Sequence, residues 1–339
     1  MMTGAVRYQW TLLRAGRLLL DGGSMFGVVP RAVWSRAIEA DEKNRIELAH
    51  NCLLLEPVEA IATDDDGLRP PRKMIIETGT GDKLDEKMSS IFGLDGRTVE
   101  SALIEAGHDP GDIEAVIVTH LHFDHAGGLT RRCRDNEQPD WTAAEGDSPL
   151  SVDRVKLTFP NAAVHLQQRE WYDAIGNQAV MTRTYYVDHL GPLRLPLPDG
   201  RERLVLHDSP RPFPTGYRPG REQLPKVPLS YRETEVAPGV SVFLTPGHTW
   251  GQQAVKFTDE SGRTVVFVPD VMPSVHHVGA AYNLAYDVEA YMSMITRHWL
   301  LEEAALNDWL LVLDHEPGNP FQRVRRSDRG WYELTPVEP

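Results

Sequence analysis

An α/β fold with its chemistry gathered at one sheet edge is what this sequence predicts, on three observations. Short runs rich in valine, isoleucine and leucine alternate with stretches of helical character. Four of those runs hand a histidine or aspartate to their carboxyl ends: Ala115-Val116-Ile117-Val118 before His120, Val240 to Leu244 before His248, Thr264 to Val268 before Asp270, and Leu310 to Leu313 before His315. The chain of 339 residues is 41% hydrophobic, enough core for one large α/β unit. Residues 1–339 are therefore read as a single domain.

The elements follow in chain order. Met1 to Leu20 has its apolar residues broken by Arg7, Arg14 and Arg17, which makes a poor secretory signal. Ile46 to Glu56 and Lys73 to Glu77 read as strands, the second running into the turn Thr78-Gly79-Thr80-Gly81. Thr98 caps a helix through Ala106, with Val99, Ala102, Leu103 and Ala106 on one face and Gly107 ending it. Residues 131–150 are polar and turn-rich, a surface insertion. A second helix runs from about Gln167 into the Gly176 region. Prolines at 210, 212, 214, 219, 225 and 228 exclude a regular helix or central strand, so about 192–230 reads as a long ordered loop. Asp287 caps a helix to about Asn307, with Val288, Tyr291, Ile295 and Leu306 among its apolar positions. Arg323 to Arg329 reads as a solvated terminal hairpin rather than a binding patch.

Composition narrows the function. The net charge of −14 repels phosphate backbones and argues against nucleic acid as a partner. No apolar run reaches the length needed to span a bilayer, so no membrane is expected. Cys52 lies in an apolar run and Cys133 in a polar arginine-rich stretch, so they should not pair, which suits a reducing cytoplasm.

The densest chemistry is Thr119-His120-Leu121-His122-Phe123-Asp124-His125. Imidazole and carboxylate are ligands of borderline divalent metals, chiefly zinc. His120 and His122 are two apart, so an extended chain end points both to one side, where they can share an ion. Asp124 and His125 follow where the strand period has broken and can face a second ion. Downstream, His248 follows a glycine turn, whereas its competitor His165 lies mid-strand, so His248 is preferred. His276-His277 reads as a surface pair, and His50, His108, His189, His207 and His298 have no constellation around them.

In order and type, His120-x-His122-x-Asp124-His125, Gly247-His248, Asp270 and His315 resemble the metallo-β-lactamase-fold hydrolase superfamily, from roughly Asn51 to Pro317. The resemblance implies a four-layer αββα sandwich of two similar halves and two divalent cations, zinc first, with manganese or iron as alternates. It places His120, His122 and His248 on one metal, Asp124, His125 and His315 on the other, and Asp270 between them. Asp21-Gly22-Gly23-Ser24-Met25-Phe26-Gly27-Val28-Val29-Pro30 resembles the amino-terminal loop of the lactonase-like branch, which includes acyl-homoserine lactonases and methyl parathion hydrolase. His122 separates the chain from flavodiiron oxygen reductases, which usually carry glutamate there. The full second ligand set sets it apart from the persulfide dioxygenases, which use one iron.

Such a pair of cations activates water and polarises a substrate oxygen together, so no serine or cysteine nucleophile is required. Asp124 is the candidate catalytic residue, orienting the bridging hydroxide and protonating the leaving oxygen, with a role as ligand alone left open. Asp314 either supports an imidazole or faces the far side of its strand. Met25, Phe26, Trp34, Phe123, Trp250 and Tyr282 are candidates for an apolar substrate wall, with a place in the core as the other reading for each but Phe123. Phe123 is nearest the ligand motif, and Tyr282 is a candidate hydrogen-bond donor by analogy with lactonases. The long gap between His125 and His248 reads as a lid or pocket wall, as a homodimer contact, or as a decorative loop. The expected function is hydrolysis of a small lactone or carboxylic ester, with phosphotriesters as a side activity. A glyoxalase II-like thioesterase and a metal-binding sensor without turnover are the alternatives.

Overall fold

Strand residues alternate between two faces, and here the alternation builds layers. The computed structural model describes residues 6–59, 70–176, 184–212 and 227–338. One sheet has six strands in the order β1 (Tyr8–Asp21), β2 (Arg45–Pro57), β3 (Met74–Ile76), β4 (Ala115–Ile117), β8 (Ala163–Gln167) and β9 (Leu204–His207). The other has seven, β10 (Thr234–Ala237), β11 (Val240–Leu244), β12 (Gln253–Thr258), β13 (Thr264–Val268), β14 (Leu310–Leu313), β15 (Phe321–Arg326) and β16 (Tyr332–Pro336). The described helices are α1 (Gly22–Phe26), α2 (Arg31–Trp34), α3 (Glu86–Ile91), α4 (Val99–Glu105), α5 (Phe123–Ala126), α6 (Gln168–Gly176), α7 (Val187–Leu190) and α8 (Ala290–Asn307).

Val265 and Phe267 of β13 join Leu53, Ile76 and Ile117 in a core between the sheets. Their neighbours Val266 and Val268 turn outward, onto Leu300, Leu301 and Ala304 of α8. On the far side, Leu54, Val116 and Val164 pack on Val99 and Leu103 of α4 and Trp171 of α6. Helix, sheet, sheet, helix is the resulting order, the four-layer αββα sandwich expected. Each fully buried aliphatic side chain contributes about 1.5–3 kcal/mol, so the middle core holds the sheets face to face and the outer two hold the helices on them.

Parallel pairs need crossovers, and the crossovers carry the helices. β3, β4, β8 and β9 are mutually parallel neighbours, as are β13 and β14, which α8 connects. Their carboxyl ends therefore point the same way within each sheet.

Four readings need correction or extension. β1 was not foreseen: its arginines interrupt the apolar pattern, yet Arg14 is tied to Asn51 Oδ1 and to the carbonyls of Glu316 and Gly318. Residues 131–150, read as a turn-rich surface insertion, take part in strand pairing as well: β5 (Thr130–Arg132) and β6 (Trp141–Thr142) flank β7 (Arg154–Leu157) in a small sheet. The 192–230 stretch contains β9, an edge strand that lies before Pro210 and so escapes the proline restriction; Pro214, Pro219 and Pro225 lie outside the described residues. Asp287 does not cap α8, which begins after Glu289, because its carboxylate is engaged by His248. Among the described residues no helix is long and apolar enough to cross a membrane.

Candidate metal centre

All seven residues singled out as ligands meet in one buried site. His120 follows β4, His125 lies on α5, and His248, Asp270 and His315 follow β11, β13 and β14. His120, His122, His248 and Asp270 bring ligand atoms within 4.8 Å of one another, and so do His125, Asp270, Asp314 and His315. Asp270 belongs to both groups. Its Oδ2 lies 3.0 Å from His248 Nε2, 3.9 Å from His120 Nε2 and 3.7 Å from His125 Nε2, while Oδ1 lies 3.2 Å from His315 Nε2. Asp124 stands beside the second group, its Oδ2 3.7 Å from His315 Nε2 and 3.9 Å from His125 Nε2.

The outer nitrogens are already occupied. His125 Nδ1 lies 3.2 Å from Glu77 Oε2, His248 Nδ1 3.0 Å from Asp287 Oδ1, and His315 Nδ1 2.8 Å from the Ala49 carbonyl. Each such bond takes the Nδ1 proton and leaves Nε2 as a lone pair aimed inward. His120 Nδ1 meets Thr119 Oγ1 at 3.1 Å. His248 Nε2 faces His122 Nδ1 at 3.0 Å, a contact that needs a proton on one of the two nitrogens or a cation beside them. His120 Nε2 and His122 Nε2 are buried without a hydrogen-bond partner among the described residues. Converging lone pairs on buried neutral donors are costly unless a cation or protons lie among them, so the set fits divalent metals.

Charge reinforces this. Burial alone would depress His248, but the carboxylates of Asp270 and Asp287 push it up to about 10. Burial works the same way on His315, where Asp314 and Asp270 win and raise it to about 10. Burial would raise Asp270, but His248, His315 and His125 hold it well below the usual carboxylate range. Burial lifts Asp314 well above that range.

Local sequence explains the shape. Gly247 sits at φ +140, and a Cβ there would overlap the backbone of Ser293, so the turn before His248 can press on α8 only as glycine. Glu77, held at φ +68, binds both His125 and the backbone N–H of Thr119. It fixes the first and last parts of the histidine motif.

The substrate candidates divide. Phe123 is half-buried at the site, its ring 5.0 Å from Phe92 and 6.3 Å from Tyr186. Met25 and Phe26 do not face the cleft: they are 1% exposed in a core with Trp34 and Leu284. The N-terminal segment folds its apolar residues inward, and Tyr282 packs edge-on against Phe26. Tyr286 is 42% exposed, and it is Tyr185 whose ring lies against the ligands, 5.5 Å from that of His122. His277 is no surface residue: its ring stacks on Phe26 at 5.0 Å, and Nε2 donates to the Met25 carbonyl at 2.9 Å. His165 pairs with His207 at 3.0 Å, away from both ligand groups.

Sequence reading gave no site role to Glu77, Glu170 or Asp287, and His50, read as without a constellation, has its ring 5.8 Å from that of His315. Glu77 alone carried a signal, an acid at the end of an apolar strand like the other four.

The model of the metallo-beta-lactamase superfamily matches residues 70–315. Among solved structures, the chain is similar to a probable metal-dependent hydrolase from Staphylococcus aureus, with 24% identity over 99% of this chain and 100% of that one and a TM-score of 0.69. It is also similar to AidC, a dizinc quorum-quenching lactonase, with 17% identity over 99% of this chain and 96% of that one and a TM-score of 0.65. A third is AbOPH, a hydrolase in the beta lactamase superfamily, with 17% identity over 100% of this chain and 99% of that one and a TM-score of 0.66. At these identities the likeness is one of fold. Comparison with curated proteins found no match.

Proposed function

The chain belongs to the metallo-beta-lactamase superfamily, and from that premise we propose that it is a two-metal hydrolase of a small ester-like substrate, a lactone or carboxylic ester first. The observation that carries this reading is the sharing of Asp270 between two buried groups of ligand atoms. His120, His122 and His248 would hold one cation, His125 and His315 the other with Asp124 or Asp314, and Asp270 would bridge them. Such a pair, when bound, supplies a water-derived nucleophile at neutral pH and a Lewis acid for the substrate oxygen. Zinc is the first choice because imidazole and carboxylate suit it; the dizinc lactonase among the similar structures supports that choice.

The chain's own groups do the remaining work. Asp124, 8% exposed and beside His125 and His315, would take a proton from the attacking water and return it to the leaving oxygen. Phe123, Phe92 and Tyr186 form an aromatic wall for the apolar part of the substrate.

The test is acid release by zinc-, manganese- and iron-loaded protein on acyl-homoserine lactones, simple lactones, aryl esters, thioesters and phosphotriesters. Preference for lactones or esters is expected. Silence across the panel with metals bound would overturn the hydrolase reading in favour of a binding protein.

A further inference from the structure

Glu170, in the first turn of α6, is 0% exposed. Its carboxylate receives three hydrogen bonds: Oε1 accepts from the Leu121 backbone N–H at 3.0 Å and from the Tyr185 hydroxyl at 3.3 Å, and Oε2 accepts from Thr249 Oγ1 at 2.6 Å. Leu121 lies between His120 and His122, and Thr249 follows His248. One side chain thus ties together the two segments that supply three imidazoles of a single ligand group. Tyr185 brings a further contact to the same group, its ring 5.5 Å from that of His122.

The backbone is shaped for this contact. A Cβ on Gly251 would overlap the backbone N and Cα of Glu170, so the turn after His248 lies directly against the start of α6. The charge is less well matched. Three neutral donors solvate a carboxylate but do not neutralise it, and an uncompensated buried anion is costly. The cations for which the neighbouring imidazoles are arranged would provide the compensation.

We propose that Glu170 is a positioning residue for metal binding. It locks the His120–His122 segment and the His248 turn at the spacing where their imidazoles share one cation, and that cation balances its charge. The inference rests on the metal-centre reading but not on the identity of any substrate.

The experiment is titration of metal-free full-length protein with cobalt(II), followed by its visible absorption bands and by competition with a chelator, alongside thermal melting. Glu170→Gln removes the charge and turns a donor toward one of its partners; Thr249→Val removes one hydroxyl and keeps the shape. Loss of such outer carboxylates typically weakens metal affinity about 10–100-fold, and that loss, with altered cobalt bands, is expected for Glu170→Gln. Thr249→Val should move affinity and spectrum the same way by a smaller factor in a folded protein, and it decides the matter if Glu170→Gln does not fold. Wild-type affinity and spectrum in folded variants, with only a lower melting temperature, would overturn the proposal. A wild-type protein that takes up no cobalt would instead refute the metal centre, and this inference with it.

Discussion

Loading the centre with metal should expel protons, and the structure sets how many. His248 and His315 are each pushed up to about 10 by the carboxylates around them. In metal-free protein at pH 7.5 both rings should therefore be protonated. A cation needs the neutral ring, and His125, held well above its ordinary value against burial by Asp124, Glu77 and Asp270, must lose its proton too, so filling both ligand groups should release close to three protons per chain. The carboxyl of Asp314, held well above its usual range, would add to the release if it becomes a ligand. The sign is fixed: below about pH 10 these protons compete with metal, so affinity rises with pH. Each proton released adds about 1.4 kcal/mol of binding per pH unit, so three give roughly a thousandfold per unit for the pair. Calorimetric titration with zinc in buffers of different ionisation enthalpy counts the protons directly. Zero release at pH 7.5, with metal bound, would mean that the carboxylates do not hold these imidazoles charged.

Other perturbations probe separate parts of the account. Asp287→Ala removes the acceptor for His248 Nδ1 at 3.0 Å; zinc affinity measured with a chelating dye should fall by about 10–100-fold. Arg297→Met strips buried donors from the carbonyls of Val271, Gly279 and Tyr282 and from Asn283 Oδ1. At about 1.5–3 kcal/mol for each hydrogen bond to a charged group, urea unfolding should show a loss of at least about 3 kcal/mol. Phe123→Ala removes the aromatic surface beside the ligand motif. Where that wall binds substrate and transition state alike, KM should rise by about tenfold with kcat little changed.

How much the sequence discloses depends on whether a residue's role is local. Val116, Val242, Val266 and Leu311 lie in strands because short β-branched and leucine runs bounded by turns have few other uses. His120, His248, Asp270 and His315 could be grouped because each ends such a run, and strand ends in an α/β sheet converge on one edge. Thr98 caps α4 through Ser101, as its spacing indicates. Glu170 and Asp287 are different. Each is a single acid whose partners lie far away in sequence, Leu121 and Thr249 for one and His248 for the other. Nothing periodic marks them. Asp287 shows the ambiguity well, since an acid ahead of an amphipathic helix reads as a cap whether or not a histidine claims it. Met25 and Phe26 misled for the opposite reason: apolar residues near a glycine-rich loop look the same whether they line a cleft or fill a core.

The central claim is that two groups of ligand atoms sharing Asp270 hold two cations. It is tested most directly by metal content after equilibration with zinc and removal of free ion, for wild type and Asp270→Ala together. The account predicts close to two zinc ions per wild-type chain and at most one in the variant, with the fold retained by circular dichroism. One ion or none in the wild type, or two still held without Asp270, would contradict it.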